Sequence, residues 1–224
     1  MTFTYYFWYT LSKIAARLFF SFRIVHPGRM IEEGPVILAS NHQSYFDPPL
    51  VGICSDRDVY YLARKTLLDV PLLGKLLPHI NVIPVDRDGN DMSALKTIIR
   101  LVRSGNGVVL FPEGTRSPDG SLQRGKQGIG LIIAKTGAPV QPMRIFGSRD
   151  AFPKGSGKIT QVPISVVVGN PIRFTPQELD PASHGGDERA LYQSLSDRVM
   201  NAIAALELPE SLPSAQAGER LPTS

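Results

Sequence analysis

The sequence predicts an α/β fold with a central, mixed and mostly parallel sheet flanked by helices. Three observations lead to this prediction: short apolar runs rich in β-branched residues recur along the chain, amphipathic stretches alternate with them, and 19 Pro and 20 Gly separate the two. With 224 residues, 42% of them hydrophobic, the chain is long enough for one full-sized domain. We therefore expect a domain over residues 27–206, preceded by a segment of residues 1–26 and followed by a mobile tail of residues 207–224.

The basic charge of the chain favours an anionic partner. The formal net charge is +4 and the isoelectric point is about 9.3, which suits nucleic acid, an acidic lipid surface or a phosphorylated substrate. The Lys and Arg residues are scattered, and neither an aromatic RNA-binding motif nor a Cys/His zinc pattern occurs, so we expect no nucleic-acid partner. The single cysteine, Cys54, excludes an internal disulfide and a multi-cysteine metal site; we expect a buried apolar thiol in a reducing compartment.

The aromatic segment of residues 3–25 is predicted to be an amphipathic helix at a membrane interface. Lys13, Arg17 and Arg23 interrupt it, so it lacks the charge-free run of roughly 20 residues that a bilayer-spanning helix needs. Its aromatic rings favour the headgroup level of a bilayer, whereas the alternative is a helix that only packs on the core. At about 100° per residue, one side is apolar and the other is polar or basic. The apolar side comprises Phe7, Trp8, Leu11, Ile14, Ala15, Leu18, Phe19, Phe22 and Val25, and the other comprises Thr10, Ser12, Lys13, Arg17, Ser21 and Arg23.

The remaining elements follow from local patterns along the chain. Apolar runs predict strands, amphipathic runs predict helices, and Gly137 is placed to end one of these helices. Asp47, followed by two prolines, is a suitable N-cap for a helix that begins there. The predicted strands are residues 35–39, 59–63, 82–85, 107–111, 140–146 and 164–168, and the further predicted helices are residues 71–77, 93–104, 127–135 and 187–206.

The first chemically distinctive motif, NHQSYFD, follows the first predicted strand and spans residues 41–47. Active sites favour the C-terminal ends of such strands. On a continuous helix His42 and Asp47 would not share a face, but a turn followed by a helix start would bring them together. Asp47 would then hold one ring nitrogen of His42 while the other takes a proton from a hydroxyl. The alternative is a loop histidine beside a carboxylate that only caps the helix, and a carboxylate has enough acceptor capacity for both roles.

The second motif, FPEGTRS, spans residues 111–117 and directly follows another predicted strand. Gly114 permits close backbone approach and Arg116 carries a planar fork of donors, which suits a phosphate. The alternative is a surface turn in which Glu113 and Arg116 form an exposed ion pair. No Walker A sequence, GxGxxG fingerprint or GxSxG elbow occurs, so nucleotide hydrolysis, dinucleotide redox chemistry and the common serine hydrolase arrangement have no support.

In these motifs the sequence resembles the PlsC-like lysophosphatidic acid (1-acyl-sn-glycerol-3-phosphate) acyltransferase family of the glycerolipid acyltransferase superfamily. Asn81 stands where the family often has Gly, and Gln141 separates the two apolar positions of the last family block. The four blocks occur in order: His42 to Asp47 matches the first, residues 81–87 ending in Arg87 resemble the second, residues 111–117 match the third, and residues 138–143 resemble the fourth.

The resemblance implies a fold like that of glycerol-3-phosphate acyltransferase. It also implies the activity of a 1-acyl-sn-glycerol-3-phosphate O-acyltransferase, which forms phosphatidic acid in phospholipid biosynthesis. His42 would take the proton from the sn-2 hydroxyl of lysophosphatidic acid, and Asp47 would orient the imidazole ring. Glu113 would contact the acceptor or fix its own loop. The substrate-binding residues implied are Arg87, Glu113, Gly114, Thr115, Arg116 and Lys126.

The resemblance further implies no metal and no cofactor beyond the thioester co-substrate, either acyl-CoA or acyl carrier protein. The partners would be lysophosphatidic acid, the acyl donor and an anionic membrane surface. The protein would be monotopic or peripheral on the cytoplasmic face of the inner membrane. Two alternatives stay open: the same acyl transfer to another lysophospholipid or a lyso-aminolipid, and a non-catalytic basic module that docks on membranes.

Overall fold

A mixed, mostly parallel sheet forms the centre of the molecule. The computed structural model describes residues 2–71, 73–85, 92–210 and 212. Within these residues the strands are β1 Arg23–Val25, β2 Val36–Ser40, β3 Val59–Arg64, β4 Val82–Val85, β5 Gly107–Leu110, β6 Val140–Phe146 and β7 Ser165–Val168. The strand order is β1-β7-β6-β2-β5-β3-β4, and each neighbouring pair is parallel except β6 with β7. The predicted fold class is confirmed.

Helices cover both faces of this sheet, as the alternation of patterns predicts. The helices described are α1 Phe3–Phe20, α2 Asp47–Gly52, α3 Leu73–Leu76, α4 Met92–Arg103, α5 Gln127–Thr136, α6 Ser148–Ala151 and α7 Glu188–Ala204. Successive side chains of β2 point to opposite faces. Val36 and Leu38 therefore join the core beneath α1 and α2, whereas Ile37 and Ala39 join the core beneath α4, α5 and α7.

The packing of α5 against α7 brings two backbones close together. A Cβ added to Gly130 of α5 would lie 1.8 Å from the carbonyl oxygen of Tyr192 in α7, so only glycine fits there. Gly137, with a φ of 63°, ends α5 as predicted, and Asp187 caps α7 by accepting from two backbone N–H groups. The helices α4, α5 and α7 enclose the second core, around Ile37.

The N-terminal helix is shorter than predicted. It ends at Phe20, where Ser21 adopts a left-handed conformation with a φ of 46°. The chain then turns into β1, which pairs with β7, and Phe22 enters the core instead of extending the apolar side of the helix. The prediction of helix through residue 25 is therefore wrong, because the apolar pattern continues across a chain reversal.

The α1 helix is attached to the domain by tyrosine hydroxyls and a lysine. The Tyr5 hydroxyl lies 3.2 Å from that of Tyr61, and Tyr9 donates a hydrogen bond of 2.7 Å to Asp56. Lys13, on the polar side, also reaches Asp56, so part of that side faces the domain. The opposite side is exposed and carries the large apolar side chains Phe3, Phe7, Leu11, Ile14 and Leu18.

The C-terminal tail lies mostly outside the described residues. Of residues 207–224, the structure describes 207–210 and 212, so the predicted mobility of the tail stays a prediction. Across the described ranges, no helix has both the length and the apolar character needed to cross a bilayer.

Candidate active site

Two parallel strands deliver the two sequence motifs to one edge of the sheet. Ala39 of β2 pairs with Leu110 of β5, so the residues that follow each strand emerge side by side. His42 follows β2 and Phe111 follows β5. Their rings stack with centroids 4.1 Å apart and an angle of 19° between the planes. The two motifs therefore form one site at the C-terminal ends of the strands.

His42 and Asp47 form the hydrogen-bonded pair that their spacing predicts. Nδ1 of His42 lies 2.8 Å from Oδ2 of Asp47. The Asp47 side chain is fully buried, whereas the His42 side chain remains 13% exposed. Within the described chain, Nε2 of His42 has no hydrogen-bond partner. A histidine held at Nδ1 by a carboxylate presents Nε2 as a proton acceptor, which is the geometry of a general base.

Asp47 does not cap α2, contrary to the sequence prediction. The helix begins at Asp47, but its N-cap is Phe46, which makes no side-chain hydrogen bond. Oδ2 of Asp47 instead accepts from the backbone N–H groups of Gln43 and Ser44. The carboxylate therefore closes the turn that carries His42, and the three hydrogen bonds to one oxygen fix the imidazole relative to Asp47.

The loop after β5, which carries the second motif, holds the main chain of His42 from both sides. Oε1 of Glu113 accepts a hydrogen bond from the His42 N–H at 3.0 Å, and the Ser117 N–H donates to the His42 carbonyl at 2.7 Å. Oε2 of Glu113 accepts from the Gln123 N–H. The Glu113 residue is only 2% exposed. These are the contacts expected of a carboxylate that fixes its loop.

Burial shifts the ionisation of Glu113. Loss of solvation raises the pKa of its carboxyl group from 4.5 to about 7. The two backbone N–H donors favour the charged form and limit the rise, while the nearby negative charge of Asp47 adds to it. Glu113 is therefore a buried acid that titrates near neutral pH.

Gly114 and Lys126 lie against one another in the same loop. Gly114 has a φ of 69°, a conformation that side chains other than glycine rarely adopt. A Cβ at this position would lie 2.9 Å from Cδ of Lys126 and 3.2 Å from its Nζ. The lysine therefore crosses directly over the glycine. Thr115, the next residue, is exposed.

Arg116 stacks on an aromatic ring instead of pairing with Glu113. Its guanidinium carbon lies 3.5 Å from the centroid of the Tyr45 ring. Nη1 is buried and has no hydrogen-bond partner in the described part of the chain. Lys154, from the loop after α6, donates a hydrogen bond of 3.1 Å to the Arg116 carbonyl. Arg87, the third cation that the sequence predicts for this site, lies outside the described residues.

Several residues of the site carry no strong sequence signal. Asn41 is buried and exchanges two hydrogen bonds with the backbone of Ile145, which ties the end of β2 to β6 next to His42. Phe111 contacts His42, while Tyr45 and Lys154 contact Arg116. The fold brings these residues together, and the sequence pattern does not predict the contacts. A buried Asn at a strand end is the one signal of this group that the sequence offers.

An apolar groove adjoins the histidine segment. It has a volume of about 320 Å³ and lies between α1, α2 and β3. Its lining includes Tyr45 and Pro48, which belong to the first motif and the start of α2, and Trp8 of α1. Such a groove suits a hydrocarbon chain. No three His, Cys, Asp or Glu side chains of the described residues are grouped as metal ligands would be.

The comparison with known families agrees with this geometry. The family model described as acyltransferase matches residues 22–146, more than half of the chain and the part that holds β1 to β6 and both motifs. The chain belongs to the acyltransferase family.

Individual acyltransferases are similar over much of the chain. The sequence is 35% identical over 149 residues to 1-acyl-sn-glycerol-3-phosphate acyltransferase BAT2 of Brassica napus, covering 65% of this chain and 43% of that one. It is 30% identical over 171 residues to 1-acyl-sn-glycerol-3-phosphate acyltransferase of Bacillus subtilis, covering 73% and 78%. The chain thus spans less than half the length of the Brassica relative.

A solved acyltransferase structure has the same fold. The crystal structure of PlsC, the 1-acyl-sn-glycerophosphate (LPA) acyltransferase from Thermotoga maritima, superposes with a TM-score of 0.68 at 25% sequence identity. The match covers 90% of this chain and 80% of that one, so it extends beyond residues 22–146.

Proposed function

We propose that the protein transfers a fatty acyl chain from a thioester to the sn-2 hydroxyl of lysophosphatidic acid, giving phosphatidic acid. The observation that carries this proposal is the His42–Asp47 pair beside an apolar groove, with Nδ1 of His42 bound and Nε2 without a partner among the described residues. The printed names of the Brassica, Bacillus and Thermotoga relatives support the same reaction.

The reaction needs one base and no covalent acyl-enzyme. Nε2 of His42 takes the proton from the acceptor hydroxyl as the oxygen attacks the thioester carbonyl carbon. The tetrahedral intermediate then collapses, the C–S bond breaks, and the thiolate leaves with the proton that His42 returns. The buried negative charge of Asp47 stabilises the imidazolium in between. General-base catalysis of this kind contributes about 10² to 10⁴ in rate.

The loop after β5 is assigned to the phosphate of the acceptor. Arg116, Lys126 and Lys154 bring three cations to this loop, and the planar guanidinium of Arg116 suits a phosphate. Arg87 is assigned to the same phosphate on its family position. Thr115 and Gly114 would lie beside it, and Glu113 would fix the loop from behind.

The apolar groove is assigned to the acyl chain of the donor, which we expect to be acyl-CoA or acyl carrier protein. Its walls are formed mainly by apolar side chains of α1, α2, β3 and the segment before β4. Because α1 forms one wall, a chain could enter from a surface on which α1 lies. The basic character of the protein suits either donor, since both are anionic.

The exposed side of α1 is assigned to a membrane interface. Phe3, Phe7, Leu11, Ile14 and Leu18 form one continuous apolar stripe, while Arg17 lies on its flank. We therefore propose a monotopic or peripheral protein, with an interfacial segment, an acyltransferase domain of residues 27–206 and a tail from residue 207, on the cytoplasmic face of the inner membrane.

The activity is tested by incubating purified protein with a panel of lysophospholipids, including a lyso-aminolipid, and with both donor types. Mass spectrometry of the products identifies the acceptor and the donor together. We expect phosphatidic acid from lysophosphatidic acid, and Arg116→Ala or Arg87→Ala should raise the KM for that acceptor. Failure with every acceptor would refute the enzymatic proposal, and an unchanged KM in both variants would refute the phosphate assignment alone.

A further inference from the structure

Arg116 lies against an aromatic ring and forms no ion pair with the described residues. Its guanidinium carbon lies 3.5 Å above the Tyr45 ring, within the range of a cation–π contact. Among the described residues, the guanidinium has no hydrogen bond and no salt bridge, and its Nη1 is buried without a partner. Among the described residues, the Tyr45 ring is the contact that the guanidinium makes.

The ring itself is held in place by its surroundings, although Tyr45 is 54% exposed. It packs against Phe152 with ring centroids 5.8 Å apart. Phe152 is in turn fixed through its carbonyl, which accepts a hydrogen bond from the Ser44 hydroxyl. Lys154, two residues later, binds the Arg116 carbonyl. The loop after α6 thus contacts both the Tyr45 ring and the main chain of Arg116.

The position of Tyr45 in the chain links its stacking on Arg116 to the proposed base, His42. It lies between His42 and Asp47, whose hydrogen bond fixes the segment. In the proposed acceptor, the sn-2 hydroxyl and the phosphate are separated by a short covalent link. A site that accepts both must keep the base and the phosphate-binding cation at a constant distance. One short segment, from His42 to Asp47, can set that distance.

We propose that Tyr45 is a positioning residue that determines specificity for a phosphate-bearing acceptor by stacking on Arg116. The stack covers one face of the guanidinium and fixes the plane in which its N–H groups would donate to phosphate oxygens. Holding the side chain in advance reduces the conformational entropy lost on binding. This inference rests on the proposed function only in assigning Arg116 to the phosphate of the acceptor.

The variants must separate the stack from the groove, because Tyr45 also lines the groove. Tyr45→Phe keeps the ring and loses only the hydroxyl. Tyr45→Leu keeps an apolar wall and removes the ring face. Tyr6→Leu is the matched control, since Tyr6 is exposed to a similar extent, 57%, on α1 and has no recorded contact with Arg116.

The primary measurement is the binding of sn-glycerol 3-phosphate, a soluble probe of the phosphate site, by NMR titration of each folded variant. We expect Tyr45→Leu to weaken binding by roughly two- to thirtyfold, the range of a cation–π contact. Tyr45→Phe and Tyr6→Leu should bind as the wild type does. In the acyl-transfer assay, Tyr45→Leu should raise the KM for lysophosphatidic acid without changing kcat.

A double-mutant cycle distinguishes positioning from a general structural role. In the Arg116→Ala background, Tyr45→Leu should cause no further loss of probe binding. An equal loss in both backgrounds, or unchanged binding in Tyr45→Leu while Arg116→Ala weakens it, would overturn the inference. The titration needs no turnover. A protein without acyltransferase activity would therefore refute the proposed function, while the binding data would still test the role of Tyr45.

Discussion

The backbone N–H of His42 donates a hydrogen bond of 3.0 Å to the Glu113 carboxylate, across 71 positions of sequence. Together with the bond from the Ser117 N–H to the His42 carbonyl, it holds the main chain of His42 on both sides. The Asp47 carboxylate fixes the ring, and Phe111 covers one face. His42 is thus oriented by the loop for which we propose a role in binding the acceptor phosphate, so disturbance of either motif should affect both.

Asp47→Asn should reduce kcat and spare the fold. An amide oxygen placed at Oδ2 can accept the same three hydrogen bonds, and the NH2 group would occupy the place of Oδ1, which has no partner in the described chain. The variant loses only the negative charge that stabilises the imidazolium, so we expect kcat to fall by about 10²-fold. Steady-state kinetics and urea unfolding measure the two effects.

Asp47→Ala serves as the contrast to the amide variant. It removes all three acceptor interactions and leaves two backbone N–H groups unpaired in a buried place, which should cost about 2 to 4 kcal/mol of stability as well as activity. Full kcat in Asp47→Asn would contradict the role assigned to the charge.

The stability of the protein should depend on pH through Glu113. The folded state binds this proton more tightly than the unfolded chain, because the pKa of the carboxyl group rises from 4.5 to about 7. Its contribution to the free energy of unfolding is therefore complete below pH 4.5 and is lost as the pH rises to about 7. The gap between the two pKa values corresponds to about 3 kcal/mol.

Glu113→Gln isolates this effect, since the amide does not titrate in this range. Urea unfolding at several pH values between 4.5 and 8 should show the wild type losing stability relative to Glu113→Gln by up to about 3 kcal/mol. Parallel curves for the two proteins would mean that Glu113 has the same pKa in the folded and unfolded states.

Gly114→Ala should destabilise the phosphate loop. Alanine at a φ of 69° is strained by about 1 kcal/mol, and its Cβ would displace the Lys126 side chain. Thermal unfolding should show the loss, and the KM for the acceptor should rise. Gly128→Ala is the control: Gly128 lies in α5 with its nearest neighbouring atom 3.9 Å from the added Cβ, so alanine there should be neutral or stabilising. Equal stability of the two variants would argue against strain at Gly114.

A charge on the exposed stripe of α1 should weaken membrane binding. Leu11→Glu or Leu18→Glu places a carboxylate where an apolar side chain would enter the bilayer interface, and we expect affinity for vesicles containing anionic lipid to fall at least about tenfold. Vesicle cosedimentation measures this affinity. Met92→Glu is the control, because Met92 is also exposed but lies on α4, across the sheet. The interface assignment fails if all three variants bind alike.

The sequence predicts the sheet well where a strand carries its own signal. The apolar runs at β2, β5 and β6 are buried on both faces and stand out from polar neighbours. The three residues of β1 do not stand out, since they continue the apolar pattern of α1 and only the left-handed turn at Ser21 separates them. A helical period does not reveal where the backbone reverses.

The sequence likewise predicts the local contacts of the candidate site and not those that depend on the fold. The spacing of His42 and Asp47 predicts their contact, because a turn of five residues fixes it locally. The contacts of Arg116 with Tyr45 and Lys154 are not local in sequence. They form only because β2, β5 and β6 lie side by side in the sheet. The sequence also predicts the wrong local role for Asp47, since a helix start and a hydrogen-bonded turn share the same residue types.

The role of His42 as the base is tested most directly by measuring phosphatidic acid formed from lysophosphatidic acid and an acyl thioester by wild type and His42→Ala. Circular dichroism and unfolding curves would first establish that both proteins are folded. We predict a rate at least about 10²-fold lower in His42→Ala. Product formation at the wild-type rate in the folded variant would contradict the account.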